Sequence, residues 1–283
     1  MGISLKREIK ASKLAAMLGC PLDGPDVSIS SVATLDESES GSLSFCTGVD
    51  FSGVDGALVI ASESGSDGTF LIAENPRLTF ARALLKIDIE VGFNTSEAAP
   101  EIHSSATIGE NVSLGKGVSI GEGTVIEDHV VIKPNVTIGK GCYIKSFACI
   151  GGEGFGYARD ENSVPVKILQ LGNVELGDRV NVGSFVSINR ATLGTTYIGA
   201  DTKLDDHVHI GHNCNIGERS IITACTELSG GVVVGNDVWI GPNSSIIQKV
   251  KIGSGAYIGI ATSVRKNVDR NTKVAGNPMR VIK

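Results

Sequence analysis

Residues 108–139 read IGENVSLGKGVSIGEGTVIEDHVVIKPNVTIG. An aliphatic residue returns at every sixth position (Ile108, Leu114, Ile120, Ile126, Ile132, Ile138), and glycine often follows it at once. A helix repeats every ~3.6 residues and a strand every ~2, so neither alone accounts for a period of six. A short strand followed by a corner does. Side chains on the strand alternate in and out, and the corner takes Gly, Asn or Asp, which tolerate unusual backbone angles. Three such units close a triangular coil.

The period extends well beyond this stretch. It starts at Ile102, runs to Ile150, resumes at Leu176, Val182 and Ile188, slips by four residues, and continues from Ile198 to Val264. These twenty-four repeats predict about eight coils. Stacked at a strand spacing of ~4.8 Å, they make a prism ~38 Å tall. The aliphatic residue points inward, together with the residue two places before it, as Val208 precedes Ile210 and Val238 precedes Ile240. Aromatic residues make up only 5 % of the chain, which suits so narrow an interior.

Residues 1–98 do not repeat. SKLAAMLGC predicts a short helix, GALVIA and TFLIA predict strands, and PRLTFARALLKI predicts a helix with proline near its start. The expected organisation is a small α+β domain over 1–98, a β-helix over 99–268 and a short tail over 269–283. GFNTSEAAP reads as the linker. Residues 151–172, GGEGFGYARDENSVPVKILQLG, interrupt the repeat and predict a flexible loop whose Phe155 and Tyr157 face a substrate.

Composition removes several function classes. The net charge of -6, without long runs of either sign, argues against general nucleic-acid binding. No stretch of eighteen apolar residues occurs, and the N-terminus lacks the apolar run of a secretory leader. The six cysteines lack C-x-x-C spacing, as expected of free thiols in a reducing cytoplasm.

The hexapeptide pattern resembles the left-handed parallel β-helix of the hexapeptide acyltransferases, and the handedness expected here comes from that resemblance. GGEGFGY, KILQLG, INR and KLDDHVHIGHN are similar to the GGDGFGF, KIPQLG, IDR and KLDNxVxIAHN segments of the UDP-3-O-acylglucosamine N-acyltransferases of lipid A synthesis. ENPRLTFARALLKI resembles their NPYLTFA helix start.

The resemblance makes His212 the general base. Imidazole titrates near working pH and can take the proton of an attacking amine, while corner N–H groups suit the tetrahedral oxyanion. Asp205, in the same motif, is expected to orient His212 or meet the amine. His207 and His209, two residues apart, read as one wet outer face. Phe45 and Phe51 keep the six-residue spacing of the family's uridine-stacking pair, although Gly48 stands where the family has asparagine; they stack a base or belong to the core. Prisms of this kind pack as trimers, which would put the corner in a cleft between subunits.

The C-terminal end departs from the pattern. The tail SVRKNVDRNTKVAGNPMRVIK resembles that of acetyl-CoA-dependent nucleotide-sugar N-acetyltransferases, and Lys249 stands near a position where the lipid A enzymes often carry a further histidine. Arg265, Lys266 and Arg280 are candidates for CoA phosphates or form a solvated basic end. The donor is therefore acyl-CoA or an acylated carrier protein, and no tightly bound cofactor or metal is expected. Three alternatives stand beside this reading. They are an acetyl-CoA-dependent sugar O-acetyltransferase, a non-catalytic scaffold, and a zinc enzyme like the gamma-class carbonic anhydrases. The last has the H-x4-H spacing at His207 and His212, but only His103 and His129 are left upstream to complete its ligands.

Overall fold

The computed structural model describes residues 2–48, 56–66 and 68–282. The chain divides into two compact units. The first comprises Met1–Thr95, Gly156–Leu171 and Thr192–Gly194, and the second comprises Ser96–Phe155, Gly172–Ala191 and Thr195–Lys283.

In the first unit a six-stranded sheet runs in the order Ile3–Lys10, Ser28–Val32, Ser42–Phe45, Leu58–Ala61, Thr69–Ile72, Leu22–Asp23. Its inner pairings are parallel and its two outer ones antiparallel. Parallel strands buried on both faces read as unbroken apolar runs, which is why LVIA at 58–61 is buried throughout. Helix α1 (Ala11–Leu18) ends at Gly19, whose φ of 66° and N–H bond to Ala16 O make a left-handed cap. Helix α2 (Pro76–Glu90) starts as expected: Asn75 Oδ1 accepts from Leu78 N, and proline takes the first turn, where a missing N–H costs nothing. Leu14, Ile29, Leu43, Leu58, Ile60, Leu84 and Ile87 form the centre of the core, each fully buried.

The interruption is an ordered hairpin, not a flexible loop. Tyr157–Arg159 pairs antiparallel with Pro165–Lys167. Asp160 Oδ1 accepts from Asn162 N and Val164 N, which closes the turn. Ala158 and Ile168 are buried in the same core as α2, and Arg82 on α2 makes a two-bond pair with Glu161 at 2.9 and 2.7 Å.

The second unit is the left-handed parallel β-helix. Its three sides are sheets of eight, ten and eight strands, mostly two residues long. Each strand pairs with the one a coil away, so that Ile120 faces Ile138 and Ile210 faces Leu228. The expected inward column is buried from Ile120 to Val264, whereas Ile102 is 44 % exposed in the first turn. Register survives both breaks, because Ile150 pairs with Ile188 across the insertion and Leu176 with Ile198 across the slip. Val208 and Val238 share the interior as expected, and the prism's core cluster contains no Phe, Tyr or Trp. Thr124, Thr202, Ser220 and Ser244 also lie inside; their hydroxyls donate to Gly139 O, Gly217 O, Gly235 O and Gly259 O, so the core tolerates them. Truncating one central side chain, as in Ile210→Ala, would cost about 2–5 kcal/mol.

Beyond Val264 the sheet continues. Lys273–Ala275 adds a parallel strand beside Tyr257–Ile258, and Arg280–Val281 folds back on it antiparallel.

Candidate active site

Three residues make each corner, and His212 stands on the corner between the third and first sides. The third-side strand His209–Ile210 ends there, Gly211 to Asn213 turn, and Asn215–Ile216 begins the first side of the next coil. Buried Ile210 and Cys214 anchor the turn on either side. Asn213 adopts the left-handed conformation, φ 60°, which asparagine accepts more readily than most residues. Its N–H donates to Thr196 Oγ1 at 2.9 Å.

The corner lifts His212 out of the prism, half-buried. Nδ1 lies 3.0 Å from Asn213 Oδ1. An amide oxygen only accepts, so Nδ1 is the donor and Nε2 keeps its lone pair. One coil above, Gly230 leaves the space the ring occupies: a Cβ there would stand 2.5 Å from Nε2, 2.8 Å from Cε1 and 3.0 Å from Cδ2. Cys214 follows at once, but its thiol donates to Ser229 O at 3.3 Å, and burial pushes its pKa up to about 12. A thiol held neutral in this way is no nucleophile at neutral pH.

The other expected residues lie elsewhere. Asp205 is exposed on the preceding corner, and its Oδ1 accepts from Asp206 N at 2.8 Å. His207 and His209 do not share a face. His207 sits in a left-handed corner with φ 61°, whereas His209 is on a strand. The turn ends at His207, and Val208, buried in the prism, separates the two. His207 is the end of a ring stack, His129–Phe147–Phe185–His207, with centroids 5.2, 5.0 and 5.1 Å apart. His209 is half-buried, its Nδ1 2.6 Å from Ser187 Oγ.

Phe45 stacks on Phe80 at 4.6 Å and packs against the core of the first unit. Its partner in the expected pair, Phe51, lies outside the described residues. Phe155 is 87 % exposed, and Tyr157, 40 % exposed, opens the hairpin. Arg265 and Lys266 are exposed after the last third-side strand, and Arg280 is exposed on the returning strand opposite Ala275. Among the described residues no group of three or more His, Cys, Asp or Glu is placed to hold a metal ion, so His207 and His212 belong to no such group. Gly230, which sequence reasoning missed, is legible only once His212 is known to lie beneath it.

Fold and corner together define a hexapeptide-repeat acyltransferase. The bacterial transferase hexapeptide family model matches residues 117–152, 195–230 and 231–259. A UDP-3-O-acylglucosamine N-acyltransferase of Campylobacter lari is 34 % identical, over 97 % of this chain and 94 % of the relative. One from Campylobacter jejuni subsp. doylei is 37 % identical, over 97 % and 95 %. The chain belongs to the family of UDP-3-O-acylglucosamine N-acyltransferases. Among solved structures, the UDP-N-acetylglucosamine O-acyltransferase of Moraxella catarrhalis is similar, with a TM-score of 0.59 and 28 % identity over 66 % of this chain and 71 % of that one.

Proposed function

We propose that the protein moves an acyl group from a thioester donor to the amine of a nucleotide-linked amino sugar, with His212 as general base. The names of its relatives support UDP-3-O-acylglucosamine as the acceptor. The observation that carries the reading is His212 itself, raised on a corner with its Nδ1 turned to Asn213 Oδ1. The amine attacks the thioester carbonyl and Nε2 takes its proton. Backbone N–H groups at a corner are suited to hold the oxyanion. Collapse forms the amide and releases the donor thiolate, which recovers the proton from the imidazolium. Attack is direct, because the one thiol beside the base, Cys214, stays protonated.

The donor is acyl-CoA or an acylated carrier protein, and Arg265, Lys266 and Arg280 are the cations proposed to meet its phosphates. Asp205, Phe155 and Tyr157 are proposed to contact the acceptor, and Phe45 with Phe51 its base. A homotrimer in the cytoplasm fits the reading, and no helix among the described residues is long and apolar enough to cross a membrane.

The test is His212→Ala, assayed with a panel of acyl-CoAs and 3-hydroxyacyl carrier protein against nucleotide amino sugars. Turnover should fall by about a hundredfold or more. Undiminished turnover at saturation ends the assignment, and a monomer that retains activity in light scattering ends the trimer.

A further inference from the structure

Glu227 stands on the third side, paired with His209 of the coil below. Leu228 after it is buried in the prism, so the Glu227 side chain faces outward. It leans along the strand toward the corner, where Ser229 Oγ donates to its Oε1 at 2.9 Å. The next residue, Gly230, is the one the ring of His212 rises against, with Nε2 2.5 Å from where a Cβ would stand. The imidazole comes up from the coil below and the carboxylate comes along the strand. They converge on one peptide unit, Ser229–Gly230, whose Cα atoms are ~3.8 Å apart. Cys214, two residues after His212, reports the same proximity. Its thiol donates to Ser229 O, and after burial it is the charge of Glu227 that helps to push its pKa up.

The fold uses only half of this carboxylate. Among the described residues Oε2 meets no hydrogen-bond donor, and no cation pairs with Glu227. His209 turns its Nδ1 the other way, to Ser187 Oγ one coil further down, at 2.6 Å. A half-buried carboxylate without a counter-charge favours a donor or a cation supplied from outside.

An acceptor nitrogen supplies both. A neutral amine attacks with its lone pair and keeps two N–H groups. As the C–N bond forms, the nitrogen becomes positively charged and the thioester carbonyl becomes an oxyanion. Nε2 of His212 takes one of the two protons. The other stays on nitrogen through collapse and into the amide, and it needs an acceptor throughout. A carboxylate makes the stronger kind of hydrogen bond there, and its charge offsets that of the nitrogen. An attacking hydroxyl has a single proton, which goes to His212. Its oxygen then turns only lone pairs toward the carboxylate and is repelled.

We infer that Glu227 accepts the second N–H of the acceptor amine beside His212, and so sets the preference for an amine over a hydroxyl. This rests on the proposed function. It separates that reading from a sugar O-acetyltransferase on a residue of this chain.

The test compares two acceptors, UDP-3-O-acylglucosamine and its 2-hydroxyl counterpart UDP-3-O-acylglucose, with the donor that serves the wild type best. Glutamine keeps the length of Glu227 and an oxygen for Ser229 Oγ, so Glu227→Gln should fold like the wild type. Its kcat/KM for the amine should fall about tenfold or more, chiefly in kcat, because the nitrogen's charge develops in the transition state. With the hydroxyl counterpart its kcat/KM should stay level or rise. Where the wild type does not turn that compound over, its inhibition constant is read instead and should not weaken. Damage to the fold or to His212 would lower both acceptors together. An equal loss with both acceptors, or an amine kcat/KM within twofold of the wild type, overturns the inference and leaves the proposed function standing. Wild-type protein that acylates no amine overturns both.

Discussion

The imidazole of His212 occupies the place a side chain on Gly230 would need, since an added Cβ would stand 2.5 Å from Nε2. The backbone of Gly230 is outside the left-handed region, so alanine is not excluded by conformation there. The clash is with the far end of a side chain that can rotate. Gly230→Ala should therefore fold with little loss of stability while turning His212 away from its working position. The expected result is a fall in kcat of about tenfold or more with an unfolding midpoint close to wild type. Wild-type turnover in Gly230→Ala would show that the ring does not work from this position.

Which side chains face inward was legible at the level of letters. A period of six tells in from out, so Ile120 to Val264, Val208 and Val238 could be placed without coordinates. Which residue lies above which was not legible, because that depends on how the coil absorbs its breaks. Register is carried across the insertion by Ile150 with Ile188 and across the slip by Leu176 with Ile198. Only then does Gly230 fall over His212. The hairpin at 157–167 was missed for a related reason. Its strands are three residues each, too short for alternation to show, and its partners, the residues of α2, are remote in sequence. That His207 closes a corner while His209 opens the next strand is likewise not written in the letters.

The contrast between Cys214 and Cys225 is a chemical test of the corner. Cys214 is buried with its thiol pushed up to about 12, whereas Cys225 is exposed in a left-handed corner. Iodoacetamide at pH 8 should label Cys225 readily and leave Cys214 unmodified until the protein unfolds. Loss of activity that tracks modification of Cys214, read by peptide mass mapping, would contradict the direct-attack mechanism.

Acid should loosen the hairpin from α2. Two hydrogen bonds from Arg82 hold the Glu161 carboxyl at about 2, below its ordinary 4.5. A carboxylate with a depressed folded pKa stabilises fully above its unfolded value, and the contribution is lost as pH falls through the folded one. The window is therefore about pH 4.5 down to about 2. Because Glu161 is exposed, the effect is small and screened by salt. Glu161→Gln lacks this linkage, so its unfolding midpoint should fall less steeply than that of the wild type across that window at low salt. Parallel curves would mean the pair contributes nothing in solution.

The ring stack His129–Phe147–Phe185–His207 puts bulky side chains where the backbone favours asparagine or glycine, since all four have φ between 57° and 65°. Each such residue bears a strain of about 1–2 kcal/mol. Phe185 recovers this by stacking on both sides, at 5.0 Å on Phe147 and 5.1 Å on His207, and each contact contributes about 0.5–1.5 kcal/mol. Phe185→Ala keeps the strain and loses both contacts. Phe185→Asn loses the contacts but eases the strain. Alanine should therefore destabilise more than asparagine, by about 1 kcal/mol in denaturant unfolding. The stack stands on the corner between the second and third sides, not on the corner of His212. Both variants should accordingly keep wild-type kcat. If asparagine proves as damaging as alanine, the left-handed strain at this corner is not what the stack offsets.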